Sequence, residues 1–278
     1  MYTLNCKGRL ITIDGSLVMG ILNVNNDSFY AASRTSSIEL ILKKAHEMLN
    51  EGADILDIGG QSTRPGSALI QPDEELQRVI PSIERIKKKF PEAVISIDTF
   101  YAGVARDAVA AGASIINDVS GGQMDSDMIA TAGLLNVPYV CMHMKGTPQT
   151  MNEYTNYENV TKEMLEYFVR KVAECRKAGI KDVIIDPGFG FAKNVDQNFT
   201  LLKNLAVFKM TDVPIMVGLS RKSTVYRTLQ TTAEHALNGT TVMHTLALLN
   251  GADILRVHDV KEAKEVIRLV KCYQDNHD

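Results

Sequence analysis

The 278-residue sequence has no tryptophan, only 6% aromatic residues and a formal charge of just -3. The missing tryptophan decides nothing. The near balance of 30 basic and 33 acidic side chains, with no basic run and no basic-aromatic interleaving, argues against nucleic acid as a partner. Apolar runs are strand-sized, well short of the roughly 20 residues of a membrane span, so no membrane association is expected. The first ten residues lack a signal-type apolar core and cleavage pattern, and a cytoplasmic location is the expectation. Cys6, Cys141, Cys175 and Cys272 are scattered, with no C-x-x-C, so free thiols in a reducing compartment are expected rather than a disulfide framework. No Ser/Gly/Pro-rich linker divides the chain, which predicts one domain over 1–278.

What is present is a repeat of short apolar runs and amphipathic segments. Strands are predicted at 17–22, 54–58, 94–97, 114–117, 137–142, 182–185, 214–217 and 253–257, apolar on both faces as buried parallel strands are. Helices are predicted at 37–50, 73–90, 101–111, 126–132, 159–178, 197–208, 232–249 and 260–273. The phrases Gly52-Ala53, Gly112-Ala113 and Gly251-Ala252 read as helix C-caps feeding the next strand. A hairpin cap is expected over 1–16, with a turn signal at Asp14-Gly15. Eight βα units without a Gly-rich dinucleotide fingerprint predict an α/β fold of the closed (β/α)8 TIM-barrel type rather than an open doubly wound sheet. Three connections are long, at 23–36, 59–72 and 143–157, and loops of this length on the ligand side usually bind or cover something.

Most of these strands run into polar residues: Asn23, Asp57, Asp98, Asn117-Asp118, His143, Asp186 and Arg256-x-His258. In a barrel the C-terminal strand ends surround one pocket. Buried acids are costly unless partnered. Asp98, Asn117 and Asp186 make a poor metal triad and a good reader for a planar heterocycle rich in N–H donors. A bland alternative is that one of them caps a turn, as Asp186-Pro187-Gly188 would. Arg256 and His258 fall on one side of an extended segment and can both donate to phosphoryl oxygens, with Asn23 facing the same anion or its Mg²⁺. The alternative there is an Arg256–Asp259 salt bridge beside a surface His258. Gly218 opens the run Ser220-Arg221-Lys222-Ser223, in which Lys222 would meet a heterocycle carbonyl and Ser223 a second substrate's carboxylate, with Arg221 a rim salt bridge. Gln61-Ser62-Thr63-Arg64-Pro65-Gly66 suits a closing anion clamp, or an ordinary turn. His143 either points into the pocket or packs beside Met142 and Met144. The remaining histidines receive no role.

No nucleophile–base pair with an orienting third group is visible, which argues against covalent catalysis. An anion site beside a heterocycle site instead points to displacement of a pyrophosphate leaving group, with the protein positioning reactants and stabilising charge.

At this point the chain resembles the dihydropteroate synthase family over nearly its whole length. The resemblance is carried by Met19-Gly20-Ile21-Leu22-Asn23-Val24, Asp27-Ser28-Phe29, Asp57-Ile58-Gly59-Gly60, Ser62-Thr63-Arg64-Pro65-Gly66, Ile97-Asp98-Thr99 and Ile116-Asn117-Asp118-Val119. It continues through Met142-His143-Met144, Asp186-Pro187-Gly188-Phe189-Gly190-Phe191, Ser220-Arg221-Lys222-Ser223 and Arg256-Val257-His258-Asp259. It implies a transferase of folate biosynthesis that joins 6-hydroxymethyl-7,8-dihydropterin pyrophosphate to 4-aminobenzoate. Mg²⁺ as cofactor, a homodimer and sulfonamides as competitors are implied with it. The implied pterin contacts are Asp98, Asn117, Asp186 and Lys222, with Met142 and Gly218 also substrate-binding. Asn23, Thr63, Arg256 and His258 would hold pyrophosphate, with the metal at Asn23. Phe29, Thr63, Pro65, Phe191, Lys222 and Ser223 would surround the arylamine, and Arg64 would stabilise a closed loop. The catalytic set implied is Asp98, Asp186, Lys222, Arg256 and His258, acting by a dissociative substitution.

The sequence departs from that pattern in the 23–36 loop. Asn25 and Asn26 stand where the family usually has Thr-Pro, and Tyr30-Ala31-Ala32-Ser33 carries no acid. Gln61 also replaces a commonly acidic residue. A more mobile loop and slower chemistry are the expectations. The rival readings are a methyltetrahydrofolate-type methyltransferase, which shares the pterin reader but has less use for the anion groups, and a pterin-sequestering protein without turnover.

Overall fold

A computed structural model describes residues 1–24, 34–61 and 69–276. The chain begins with an antiparallel hairpin, β1 (Tyr2–Cys6) and β2 (Arg9–Ile13). Its turn is at Lys7-Gly8, both with positive φ (55° and 89°), rather than at Asp14-Gly15, which serves as the exit toward the barrel. Two consecutive positive-φ residues give the primed turn whose twist matches paired strands.

Eight parallel strands follow: β3 (Leu17–Asn23), β4 (Ile55–Gly59), β5 (Ile95–Asp98), β6 (Ile115–Asp118), β7 (Tyr139–Met142), β8 (Val183–Asp186), β9 (Met216–Val217) and β10 (Ile254–Val257). They form one sheet in the order β8-β7-β6-β5-β4-β3-β10-β9. A parallel bridge between Ile185 and Ile215, with Ile185 N–H donating to the Pro214 carbonyl at 3.0 Å, joins the two ends and closes the barrel. The helices are α1 (Arg34–Asn50), α2 (Pro72–Lys89), α3 (Ala102–Ala111), α4 (Met128–Leu135), α5 (Val160–Lys177), α6 (Val195–Lys203), α7 (Ser223–Thr228), α8 (Leu237–Leu249) and α9 (Val260–Asp275). This is the (β/α)8 architecture expected, and Gly52, Gly112 and Gly251 take the positive φ their capping role requires. Among the described residues no helix is long and apolar enough to cross a membrane.

Several helices differ from the sequence reading: α1 starts earlier, at Arg34, α4 is shifted to Met128–Leu135, and α7 has no counterpart among the predicted helices. Two further differences have a visible cause. The segment 197–208 is not one helix: α6 stops at Asn204, whose amide nitrogen donates to the Thr200 carbonyl at 2.9 Å, and a 3-10 helix, Leu205–Thr211, follows. Asn competes locally for backbone partners in this way. The segment 232–249 starts only at Leu237, because Arg221 Nη1 takes the carbonyls of Ala233 and Glu234.

Side chains alternate in and out of the barrel along each strand. Outward residues such as Leu56, Ile58, Ile97, Tyr139, Ile185 and Leu255 join the strand–helix core. Met19, Ile55, Val94, Ile115, Val140, Ile184, Met216 and Ile254 form a separate interior layer, packed against Leu4, Cys6 and Ile13 of the hairpin. The hairpin therefore plugs the N-terminal end. Two residues further along the same strands, the inward position is occupied by Ile21, Asp57, Ser96, Asn117, Met142, Asp186, Gly218 and Arg256. The apolar floor thus turns polar within one period of the pleat, and the site is built on that step.

Candidate active site at the barrel mouth

Asp57, Asp98, Asn117 and Asp186 are all buried or nearly so, at 0%, 7%, 2% and 4% exposure. Their backbones are fixed by the strand ladder, in which Gly59 pairs with Asp98, Asp98 with Asn117, and Met142 with Asp186. Gly59 matters because it sits against Asp98: a Cβ there would lie 3.4 Å from the Asp98 Cβ. The sequence reading brought Asp98, Asn117 and Asp186 to one place, and the structure does so.

Arg256 lies between two of these carboxylates. Its Nε donates to Asp57 Oδ2 at 2.7 Å and its Nη2 to Asp98 Oδ2 at 2.5 Å. Asn117 Nδ2 also donates to Asp57 Oδ2, at 3.0 Å. Arg256 Nη1 makes no hydrogen bond among the described residues. The alternative pairing of Arg256 with Asp259 is not what forms. Asp259 instead takes Arg221 in a bidentate pair, Nε to Oδ2 at 2.8 Å and Nη2 to Oδ1 at 2.9 Å. That pair, with Arg221 N–H donating to Thr240 Oγ1, staples the β9–α7 connection, so Arg221 is the rim salt bridge expected.

Asp186 caps its turn and still keeps one oxygen toward the mouth. Its Oδ1 accepts the Gly188 N–H at 2.7 Å, the turn-capping bond, while Oδ2 makes no hydrogen bond among the described residues. Asp118 is different: its two oxygens accept from Ser120 N–H and O–H, Gly122 N–H and Tyr139 O–H, all at 2.7 Å. A saturated carboxylate of this kind shapes the β6–α4 loop and has nothing left for a ligand.

Lys222 reaches across the mouth. Its Nζ donates to the Phe189 carbonyl at 2.5 Å and stands 4.5 Å from the centre of the Phe191 ring. Gly218, whose added Cβ would come within 3.7 Å of that ammonium, leaves the space it crosses. Ser223 begins α7, and its hydroxyl makes no hydrogen bond among the described residues. His258 is exposed at the rim; Ser220 Oγ accepts its backbone N–H at 3.1 Å and lies 3.0 Å from Nδ1. In the tautomer in which the hydroxyl proton serves Nδ1, Nε2–H is free to donate outward. Asn23 ends β3 and is exposed. Met142, Phe191 and Phe100 form an apolar wall with Val119, Met144 and Met151. Phe29, Thr63, Arg64 and Pro65, together with the Asn25-Asn26 departure, lie outside the described residues.

The electrostatics follow from burial. Burial pushes the Asp98 carboxyl up; Arg256 opposes this, and Asp57 and Asp118 reinforce it. Asp186 is raised for the same first reason, opposed by Lys222 and the Gly188 N–H. Burial lowers Lys222 to about 8, against the pull of Asp186. His258 is lowered by desolvation and then by Arg256. Such a ring of reluctant charges gains when a ligand supplies N–H donors to the acids and an anion to the cations.

His143 resolves as packing. It is 4% exposed, meets Tyr167 edge-on with ring centroids 4.8 Å apart, and its Nδ1 lies 3.1 Å from Lys193 Nζ. Lys193 is one residue the sequence did not flag. Its buried ammonium also donates to the carbonyls of Phe191 (2.8 Å), Gly188 (3.1 Å) and His143 (3.4 Å). It thereby ties the loop after β8, which carries both the Phe191 ring and the Phe189 carbonyl that anchors Lys222. Gly188 is needed in that loop, since at φ 66° an added Cβ would lie 2.3 Å from the His143 carbonyl oxygen. Asn198 completes it by accepting the Gly190 N–H at 2.8 Å. Replacing Lys193 by Met removes the donor shared by these carbonyls and leaves the Gly188 carbonyl only the Phe191 N–H, and we expect about 2–4 kcal/mol lower stability, read from the urea midpoint at constant m. An unchanged midpoint would show that the loop holds without it. The sequence places Asp57 at the pocket but gives it no site role. Nothing in a sequence separates a buried lysine from a solvated one, but Asp57 stands to Ile55 as Arg256 stands to Ile254, and that spacing was there to be used.

The profile of the pterin binding enzyme family matches residues 19–258. The dihydropteroate synthase of Escherichia coli K12 is 41% identical over 267 residues, covering 95% of this chain and 94% of that one. Among solved structures, the Xanthomonas albilineans dihydropteroate synthase with 4-aminobenzoic acid superposes with a TM-score of 0.91 at 38% identity, over 99% of each chain. The Yersinia pestis dihydropteroate synthase in complex with a sulfonamide drug does so with a TM-score of 0.92 at 35% identity, over 99% of this chain and 100% of that one.

Proposed function

The chain belongs to the pterin binding enzyme family, and on that premise we propose that it is a dihydropteroate synthase, a transferase joining 6-hydroxymethyl-7,8-dihydropterin pyrophosphate to 4-aminobenzoate with release of pyrophosphate. The observation that carries this reading is the division of one barrel mouth into two chemistries. Asp98, Asn117 and Asp186 each keep an oxygen without a hydrogen bond among the described residues, while Arg256 and His258 keep N–H groups on the neighbouring side. A flat ring rich in N–H groups with an anionic tail matches both halves. The methyltransferase reading explains the first half and leaves the second without purpose.

The proposed chemistry is a dissociative displacement. Arg256 Nη1 and His258 Nε2 take up charge on the departing pyrophosphate. The pterin-methyl cation left behind faces the carboxylates Asp98 and Asp186. Lys222 binds at the border of the two substrates. The wall of Met142 and Phe191 receives the arylamine ring, and Ser223 its carboxylate. The aniline nitrogen is neutral at pH 7 and attacks the methylene carbon without prior deprotonation, and the proton is lost to water or pyrophosphate once the C–N bond has formed, which accords with the lack of a nucleophile–base pair. Thr63, Arg64, Pro65 and Phe29 complete the proposed set from loops outside the described residues.

Among the described residues no group of His, Cys, Asp and Glu side chains could hold a metal. Asn23 offers one neutral oxygen in an exposed position, which fits a Mg²⁺ that arrives on pyrophosphate and keeps its waters, not a resident ion. Bound there, the ion would neutralise charge on the leaving group. We further propose that the chain acts as a single barrel domain and as a homodimer in the cytoplasm. Val242, Leu246, Leu249 and Leu229 stand exposed along one side of α8 and the end of α7, an apolar stripe suited to a second copy.

The test is turnover. The two substrates should give 7,8-dihydropteroate and stoichiometric pyrophosphate, and pterin binding without product would reduce the protein to a pterin-sequestering role. The pH profile provides a second check. Lys222 is protonated below about 8 and loses its charge above it, so kcat/KM for the pterin substrate should fall on the alkaline side with a limb near pH 8. Lys222→Arg should move that limb beyond pH 10 or remove it, and an unmoved limb would assign it to another group.

A further inference from the structure

We propose that Asp57 is a positioning residue that fixes which atoms the site presents to its ligand, and so determines ring selectivity. The proposal deepens the synthase reading and rests on it. Its basis is an asymmetry in one buried side chain. Asp57 Oδ2 accepts two hydrogen bonds, from Arg256 Nε at 2.7 Å and from Asn117 Nδ2 at 3.0 Å, while Oδ1 is buried with no hydrogen-bond partner. A carboxylate that merely balanced a guanidinium would take two of its nitrogens in a bidentate pair, as Asp259 does with Arg221. Asp57 gives up that geometry to serve two different side chains from one oxygen.

The consequence for Asn117 is definite. An amide beside an oxygen that already accepts a guanidinium N–H must turn its nitrogen inward, because the opposite orientation would set two acceptors face to face. Asn117 Oδ1 is therefore the atom directed to the ligand. The same carboxylate occupies Arg256 Nε, and Asp98 occupies Nη2, which leaves Nη1 for an anion. One buried oxygen thus makes the heterocycle side of the mouth a row of acceptors and the anion side a row of donors. A ring that presents N–H to Asn117 is accepted. A ring that presents a lone pair opposite Oδ1 meets an acceptor, because Asp57 holds the amide nitrogen on the other side. Buried sites built on such bonds discriminate far more strongly than apolar ones.

Three variants test this by equilibrium binding of 6-hydroxymethyl-7,8-dihydropterin pyrophosphate and of inorganic pyrophosphate. Asp57→Asn keeps an oxygen that can accept from both partners, and pterin affinity should stay within about tenfold of the parent. Asp57→Leu frees the Asn117 amide and should weaken the pterin ligand by about 100-fold or more, and more than it weakens pyrophosphate. Asn117→Asp keeps Asp57 but sets two carboxylates together, among Asp98, Asp186, Arg256 and Lys222. They then need a shared proton, and pterin affinity in that variant should rise between pH 8 and pH 6 more steeply than in the parent. This second line holds if Asp57→Leu fails to fold. Parent-like pterin affinity in a folded Asp57→Leu, or a pH-independent Asn117→Asp with full affinity, would overturn the assignment of Asp57 alone. Failure of the unsubstituted protein to bind the pterin ligand would overturn the synthase reading, and this inference with it.

Discussion

Asp186→Asn should lower affinity for the pterin substrate by about 10²–10⁴-fold while leaving the melting temperature within a few degrees of the parent. The substitution separates the two jobs of this side chain. An asparagine oxygen can still accept the Gly188 N–H, now bonded to Oδ1 at 2.7 Å, so the turn after β8 survives. The other oxygen, which makes no hydrogen bond among the described residues, becomes an NH₂ group. A donor then faces ring N–H donors, and a charge-assisted bond of about 1.5–3 kcal/mol is replaced by an unpaired contact of comparable cost. Binding titration and thermal melting on one sample check both halves. Parent-like pterin affinity would remove Asp186 from the site. A collapsed melting temperature would make it a turn cap and no more.

Arg256→Ala should affect more than the anion. Read from sequence, this arginine is a pyrophosphate ligand whose removal would weaken pyrophosphate binding more than that of free pterin. In the structure it is the counter-charge of two buried acids, Asp57 at 2.7 Å and Asp98 at 2.5 Å. Removing one partner from a buried ion cluster typically costs about 3–5 kcal/mol, because the remaining charge is left uncompensated. We therefore expect loss of stability of that order, loss of pyrophosphate affinity, and impaired pterin binding through the freed Asp98. The pH dependence gives the sign. Asp98 is already raised by burial and would rise further without the guanidinium, so the folded variant would hold protons that the unfolded chain releases. Stability of Arg256→Ala should then fall as pH rises from the unfolded carboxylate value, near 4, through the raised folded value. Urea titrations at pH 5 and pH 8 should show the deficit against the parent larger at pH 8. An equal deficit at both would mean the acids are not what the arginine compensates.

The fold was legible because barrel strands repeat one simple statement: apolar on both faces, entered from a capped helix, left through a polar residue. The capping glycines Gly52, Gly112 and Gly251 marked the register of that repeat well. The inward residues Asn117, Asp186 and Arg256 could be read because each follows an apolar inward neighbour by two positions. What stayed hidden was pairing. No pattern says that Arg256 reaches Asp57, 199 residues earlier, or that Arg221 and not Arg256 takes Asp259. Lys193 stayed hidden for a related reason: its burial is decided by carbonyls that only the folded loop brings together. The breaks at Asn204 and before Leu237 also depend on hydrogen bonds that compete with helix continuation, one local and one reaching from Arg221.

The most direct check on the whole account is a crystal structure of this protein with 7,8-dihydropteroate bound. The pterin ring should lie in the barrel mouth with its N–H edge within hydrogen-bond distance of Asp98, Asn117 Oδ1 and Asp186 Oδ2, and with Lys222 at the ring's other side. A ring seated elsewhere, or seated there with the Asn117 nitrogen turned toward it and away from Asp57, would contradict the account.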